Sequence, residues 1–535
     1  MGDDLSAFDS LITDALNVFW SRHPVHASFA GETAFDHRLP DASASAILEG
    51  ETRVREILRR FDLVPTPDTA AARIDARMLR SHFAVELTAY ARRTRYGNPA
   101  WYTGEIAFGI IAHLLPSDVP REVEGLRARI GEIPDYLHEA SAHLSDRPLP
   151  APWVERARLE VAAIRRLLET ALPQHPLGGQ VDSATIAHAL DALGRFVNAF
   201  EDAPDTEFAA GEAHLQLVMQ KLHAIEETPQ TLERRARRAF DDTLDRLEER
   251  ARARDASRPW RDQIQAIGEI GPERSGALQS YAHWHERAMR DAQTLLTPAD
   301  DYALNFAELP TWASAVASDL YFLFYRSPAA RAPGKGSTYW VAPLAASDDE
   351  VRRVHNTAAV KLIHAVHHGS IGHHTQNARA RASGARSARI AGTDSASGIA
   401  MLGAGTMVEG WACYAEDLLD EVPDFYTDGE RLMLAYFELR NAASCIADIQ
   451  LHTGAWSLAE MRQFYRDDAA FAPSRIVPET IRNSMFPGSR LMYWYGTDAI
   501  KSLRRSLPLA TKTFHDTLLG FGSAPVTSIA QEMIR

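Results

Sequence analysis

The stretch His364-Ala-Val-His-His-Gly-Ser-Ile-Gly-His-His-Thr-Gln376 places five histidines, at 364, 367, 368, 373 and 374, in one short span that contains no acidic residue. On a helix each residue turns about 100°, so His364, His367 and His368 share one face. His374 returns to that face if the helix continues past His367, whereas His373 returns only if Gly369 and Gly372 make an irregular turn; spacing alone leaves both open. Each neutral ring needs a partner for its N–H and its lone pair, which makes so many imidazoles hard to explain as packing. They predict a divalent metal site, with zinc first and iron or copper as alternatives.

Such a metal commonly adds a carboxylate to two histidines. The segment Met407-Val-Glu-Gly-Trp-Ala-Cys-Tyr-Ala-Glu416 supplies Glu409 and Glu416 on one helical face, with Cys413 between them. Cys413 reads as a buried small hydrophobe and Trp411 as core.

Around this centre the chain reads as mostly α. Apolar residues recur at three- and four-residue steps from Phe8 to Phe19, from Ala72 to Ala91, from Trp153 to Leu172 and from Ile186 to Phe200. Residues 231–255 read as a helix with a solvated charged face, and Val25 to Ser43 as a loop. Tyr339, Trp340 and Val341, within Gly336 to Ala346, predict a short strand near the site, which could pair with an extended substrate. The Gly-, Ser- and Arg-containing run 377–398 reads as a mobile loop or lid, with Arg379, Arg381, Arg386 and Arg389 solvated on it. Arg440 and Asp448 read as a structural ion pair.

At 535 residues the chain is too long for one ordinary core. The expectation is a large two-lobed helical fold with a deep central cleft, residues 1–300 forming one wall and 301–535 carrying the metal site. A hydrophobic content of 45%, a charged content of 24% and a net charge of −14 predict a globular chain that binds neither nucleic acid nor membrane. Two cysteines, and an acidic start lacking the pattern of a secretory signal, predict a cytoplasmic location.

Several motifs together resemble the bacterial domain-of-unknown-function family 885, whose fold is similar to that of the helical zinc carboxypeptidases. HHGSIGHHTQ from His367 is similar to the family's His-Glu-x-x-Pro-Gly-His stretch, and EGWACYAE from Glu409 to its Glu-Gly-Trp-Ala-x-Tyr-x-Glu. DIQLHTGAW from Asp448 and ETIRNSMFPGSRLMYWYG from Glu479 resemble two later motifs, and HPVHASFAGETAFDHRLPDAS the usual start. The resemblance implies a zincin-like fold in which His367, His373 and Glu409 hold zinc. His452 and Tyr493 match family residues that face the cleft.

The chain departs from the family at two positions, with His368 where the family has glutamate and Ile371 where it has proline. In zinc peptidases of this type that glutamate takes a proton from the attacking water and passes it to the leaving amine. The expected activity is therefore that of a metal-dependent hydrolase acting on an amide, peptide-like or ester bond of a small molecule or short peptide, with an altered motif. His368 or Glu416 would handle protons, and Tyr493 or His452 would stabilise the oxyanion. The alternatives are a non-hydrolytic, oxidative or rearranging enzyme that adds His364, His368 or His374 to the ligands, and a non-catalytic relative that binds a peptide or small molecule.

Overall fold

The computed structural model describes every residue except 1, 93–95, 146–147, 201–208, 315, 318–324, 332–333, 335 and 394–401. Helices dominate, as the periodicity predicts: Gly2–Arg22 and Ala70–Arg92 cover the first two stripes, Ala151–Arg166 continues as π and 3-10 turns through Leu172, Ser183–Asn198 stops two residues short of Phe200, and Pro229–Arg254 carries the charged stripe to within one residue of its end. The segment read as a loop after Pro24 starts with another helix, Pro24–Ala30. Proline there ends one helix and opens the next, because its missing N–H falls where a first-turn donor is unpaired in any case.

Two main apolar clusters result. The larger gathers Phe8, Leu11 and Phe19 with Leu232 and Phe240, and with Met407, Trp411, Leu439 and Ile446, so it draws on both sides of residue 300. The smaller is built around Ile106, Ile110, Ile130, Leu137, Ile164, Leu193 and Phe196, with Trp312 and Trp340 added from the second half.

The strand prediction holds for Gly336–Val341, here β3, but with a correction to its use. It is the middle of a three-stranded sheet, paired in parallel with β1 (Ala303–Glu308) along its whole length, and antiparallel with β2 (Tyr325–Arg326) at Tyr339 and Thr338. One side of β3 is paired along its whole length and the other at Thr338 and Tyr339, so it is the centre of the sheet rather than its edge.

The histidine segment packs against Ala277–Asp291 and Gly405–Leu418, and two further helices of the second half, Asp428–His452 and Leu491–Ser506, pack against the latter or each other. Gly405–Leu418 carries Glu409, Cys413 and Glu416. Asp428–His452 starts at a capping box, in which Thr427 Oγ1 accepts from Glu430 N at 3.2 Å and Glu430 Oε2 accepts from Thr427 N at 2.8 Å. Leu491–Ser506 packs against both. It meets Gly405–Leu418 at Gly410 and Gly496, where a Cβ on Gly410 would stand 2.5 Å from the Gly496 Cα; only residues without side chains permit that crossing.

Candidate metal centre

The histidine segment is not a regular α-helix. After Asn356 caps a short turn, Val360–His367 and Ser370–His374 are wound as π-helix, with His368 N bonded to Ile363 O at 2.9 Å. Such wide turns recur at functional sites because they change the phase of the side chains. Within the second of these Gly372 is non-helical, with ψ −126°, and a Cβ on it would overlap the carbonyl oxygens of His367 and Val366. Trp411, fully buried, fixes this turn by donating its Nε1–H to the Ile371 carbonyl at 2.8 Å.

The phase change settles which histidine joins His367. His367 Nε2 lies 3.4 Å and His373 Nε2 3.9 Å from Glu409 Oε2, and one ligand atom of each of the three residues falls within 4.8 Å of the others. Tetrahedral ligands about 2.0–2.1 Å from one ion stand roughly 3.3 Å apart, so this spacing suits a divalent cation.

The opposite side of each ring is tied down as well. His367 Nδ1 is 2.7 Å from Glu416 Oε1, and His373 Nδ1 is 3.4 Å from Gln376 Oε1. Both partners are acceptors, so each Nδ1 holds the proton and each Nε2 points at Glu409, an orientation that a ligating histidine requires. Gln376 is itself held by its Nε2–H to the Met407 carbonyl at 2.9 Å. A second group, His367, Cys413 and Glu416, shares the same ring, with Glu416 on its Nδ1 side.

Charge follows geometry. Burial disfavours the His367 cation, but hydrogen bonds to Cys413, Glu409 and Glu416 outweigh it and raise its pKa well above the ordinary value. Burial also works against the Glu409 carboxylate, which His367 and His373 nonetheless hold below its usual range; burial pushes Glu416 up. His373 is lowered to about 4, chiefly by burial. His368 is held well below the ordinary histidine value by burial and by the neighbouring imidazoles, so its ring is neutral. That ring stands 4.9 Å from the His367 ring and 5.8 Å from the His373 ring, and its buried Nδ1 has no hydrogen-bond partner among the described residues.

The family model described as "Bacterial protein of unknown function (DUF885)" matches residues 24–533. The chain belongs to this family. A DUF885 chain with this fold is also similar to two solved structures. One, described as "a putative lipoprotein of unknown function from Shewanella oneidensis", is 17% identical with a TM-score of 0.79 over 99% of this chain and 100% of that one. The other, described as "the putative lipoprotein from Colwellia psychrerythraea", is 16% identical with a TM-score of 0.78 over 99% of each chain. These likenesses show the fold. No curated protein matches the chain.

Other predicted site residues lie elsewhere. His364 turns to the sheet, its Nδ1 2.5 Å from the Tyr339 hydroxyl, and His374 gives its Nε2–H to the Tyr302 carbonyl at 2.7 Å. Neither stands with the three ligand candidates, because the π turns rotate them away from His367. His452 is fully buried with both nitrogens bonded to backbone, Nε2 to Asn483 O at 2.8 Å and Nδ1 to Ala210 N at 3.4 Å, so it is a structural histidine. Tyr493 is half-buried, its ring 5.9 Å from the Arg490 guanidinium.

The predicted lid is corrected too. Residues 375–380 and 386–390 are helical, Arg379 and Arg381 donate to the carbonyls of Thr297 and Pro328 at 2.7 Å, and the Asp75 carboxylate accepts from Arg386 N and Ser387 N at 3.0 and 2.7 Å. The part of that run from 394 to 398 lies outside the described residues. Sequence reasoning missed Gln376, whose signal was its place three residues after His373.

Proposed function

We propose that this chain is a metal-dependent hydrolase that cleaves an amide, peptide-like or ester bond of a small substrate, with its proton-handling residue exchanged. The observation that carries the proposal is the convergence of His367, His373 and Glu409, each imidazole turned by its own acceptor. When bound, a divalent cation, zinc first and iron or copper as alternatives, would polarise the scissile carbonyl and activate water for attack.

The chain's own residues do the rest. Glu416 accepts the His367 Nδ1–H and keeps Nε2 facing the cluster, which makes it an orienting carboxylate rather than a proton carrier. His368, neutral and with an unpartnered Nδ1, takes a proton from water as the hydroxyl adds to the acyl carbon, then returns it to the leaving nitrogen or oxygen as that bond breaks. Tyr493 is the hydroxyl donor for the oxyanion, since the nitrogens of His452 are occupied.

The zincin-like, two-lobed arrangement with a central cleft belongs to the same reading and is supported by the two large apolar clusters. No helix among the described residues is long and apolar enough to cross a membrane. The buried, free Cys413 and Cys445 support a reducing cytoplasm, whereas the description of the similar structures as lipoproteins favours the cell envelope; fractionation decides.

One observation favours a second reading. An imidazole at 368, beside two others, would give a nitrogen-rich site for iron or copper and an oxidative or rearranging reaction if its ring swung inward. Elemental analysis of the purified protein, with a panel of short peptides and amides assayed on wild type and His368→Glu, tests the two. The hydrolase reading expects zinc, with cleavage appearing or rising at least tenfold in His368→Glu. Iron or copper bound, with both proteins inert on the panel, overturns it.

A further inference from the structure

The motif that opens at His23 has no part in the centre at His367, yet it brings a second group of ligand atoms together. His23 occupies the break between Gly2–Arg22 and Pro24–Ala30, where its N–H bonds to the Phe19 carbonyl at 3.0 Å. His82 and Glu86 stand one turn apart on Ala70–Arg92, on the face that meets this break.

His23 Nε2 stands 3.5 Å from Glu86 Oε1 and His82 Nε2 3.5 Å from Glu86 Oε2, and one ligand atom of each residue lies within 4.8 Å of the other two. The spacing resembles that of His367, His373 and Glu409. His82 Nε2 is buried and has no hydrogen-bond partner among the described residues. The side chains of His23 and His82 still keep 10% and 17% of their surface, so an ion can reach the group without unfolding the chain. Phe19 walls the group, its ring 4.8 Å from that of His23 and 5.0 Å from that of His82, and such an apolar surround strengthens the pull of ligands on a cation.

Arg22 sets what the group can hold. Its Nε donates to Glu86 Oε1 at 2.6 Å and its Nη2 to the Tyr96 hydroxyl at 3.2 Å. Burial would push Glu86 up, but Arg22 and the two imidazoles outweigh it and hold the group well below the usual carboxylate range. A carboxylate offers about four lone-pair sites, and Arg22 takes one at Oε1, leaving Oε2 on the His82 side. Ligating carboxylates are commonly steadied by such an outer donor. The guanidinium charge nevertheless opposes any cation, so affinity must come from the imidazoles. Zinc, copper and nickel, which favour imidazole, are therefore preferred over magnesium and calcium, which demand several oxygens.

We propose that His23, His82 and Glu86 form a second divalent-cation site, which takes a zinc-like ion and clips the break between the first two helices to Ala70–Arg92. The site shares no residue with the centre at His367 and does not rest on the hydrolase reading. Three protein ligands leave the fourth tetrahedral position to water. Because Arg22 lies beside it, this is the weaker of the two sites: it fills when zinc is supplied in excess and empties on dialysis against buffer, so the isolated chain keeps only the ion at His367.

Equilibrium dialysis of the full chain against excess zinc, and separately against magnesium, tests the proposal. The variants are His82→Gln, which keeps the size and polarity of the side chain, and His138→Gln, a control at an exposed histidine. Wild type and His138→Gln are each expected to take up one zinc ion more than His82→Gln, in which the weaker binding event loses affinity on the order of tenfold or more while the tighter one is unchanged. Magnesium should not replace the additional ion. Arg22→Gln, which removes the opposing charge and keeps all three ligands, should tighten the weaker event several-fold, and it decides the matter if His82→Gln does not fold. In His373→Ala, added zinc should slow amide exchange over residues 16–30, an effect that His82→Gln in the same chain abolishes. Equal zinc uptake by wild type and His82→Gln, loss of the additional ion in His138→Gln, magnesium bound as well as zinc, no tightening in Arg22→Gln, or exchange over residues 16–30 unmoved by zinc overturns the proposal.

Discussion

Glu416→Gln separates an orienting carboxylate from a ligand or a base. Glu416 Oε1 accepts from His367 Nδ1 at 2.7 Å, on the far side of the ring from Glu409. The amide can still accept that hydrogen bond, so the variant removes charge while keeping geometry. A carboxylate roughly 7 Å from a divalent cation across an imidazole contributes at most about 5 kcal/mol at an effective dielectric constant near 20. Measured losses from such outer partners are about 10–100-fold in metal affinity, or about 1.4–2.7 kcal/mol. Competition with a chromophoric chelator should therefore show zinc held ten- to a hundredfold more weakly in Glu416→Gln, still at one ion per chain. Loss of binding as complete as in His367→Ala would make Glu416 a ligand, and a change under twofold would deny it any role at the centre; either refutes the reasoning.

Three other outcomes follow from the same contacts. Gly410→Val places side-chain atoms against the Gly496 backbone, 2.5 Å away at the first carbon, and should lower the thermal unfolding midpoint by the equivalent of at least about 1–3 kcal/mol, or prevent folding. His452→Ala should cost about 1–3 kcal/mol in urea unfolding, because Asn483 O and Ala210 N lose their partner, yet leave zinc stoichiometry unchanged. His223 and His515 are each lowered to about 4, chiefly by burial, and are neutral in the fold. Since the unfolded chain protonates them near 6.5, their contribution is full above that pH and is lost as pH falls toward 4. Replacing either with Gln should flatten the decline in stability between pH 7 and 5 by about 2 kcal/mol.

Much of the centre is legible in the sequence, because its residues fall in two short motifs, one of histidines and one of glutamates. His367, Glu409 and Glu416 follow from helical spacing, and the family resemblance adds His373. What spacing cannot give is the choice between His373 and His374, which depends on the π turns and on Gly372 lying against the His367 carbonyl. Long-range partners are invisible in the same way. Nothing near His452 in sequence announces the Asn483 carbonyl, nothing near His364 announces Tyr339, and Asp448 meets backbone donors some forty residues later rather than Arg440. The run from Asn377 reads as a lid by composition, yet its arginines find fixed carbonyls that only the folded chain supplies.

The most direct test of the central claim is the metal content of the purified chain by plasma mass spectrometry, with His373→Ala and His374→Ala prepared in parallel. The account predicts close to one divalent ion per chain in wild type and in His374→Ala, and its loss in His373→Ala. Loss in His374→Ala with retention in His373→Ala, or no ion in wild type even after reconstitution, would contradict it.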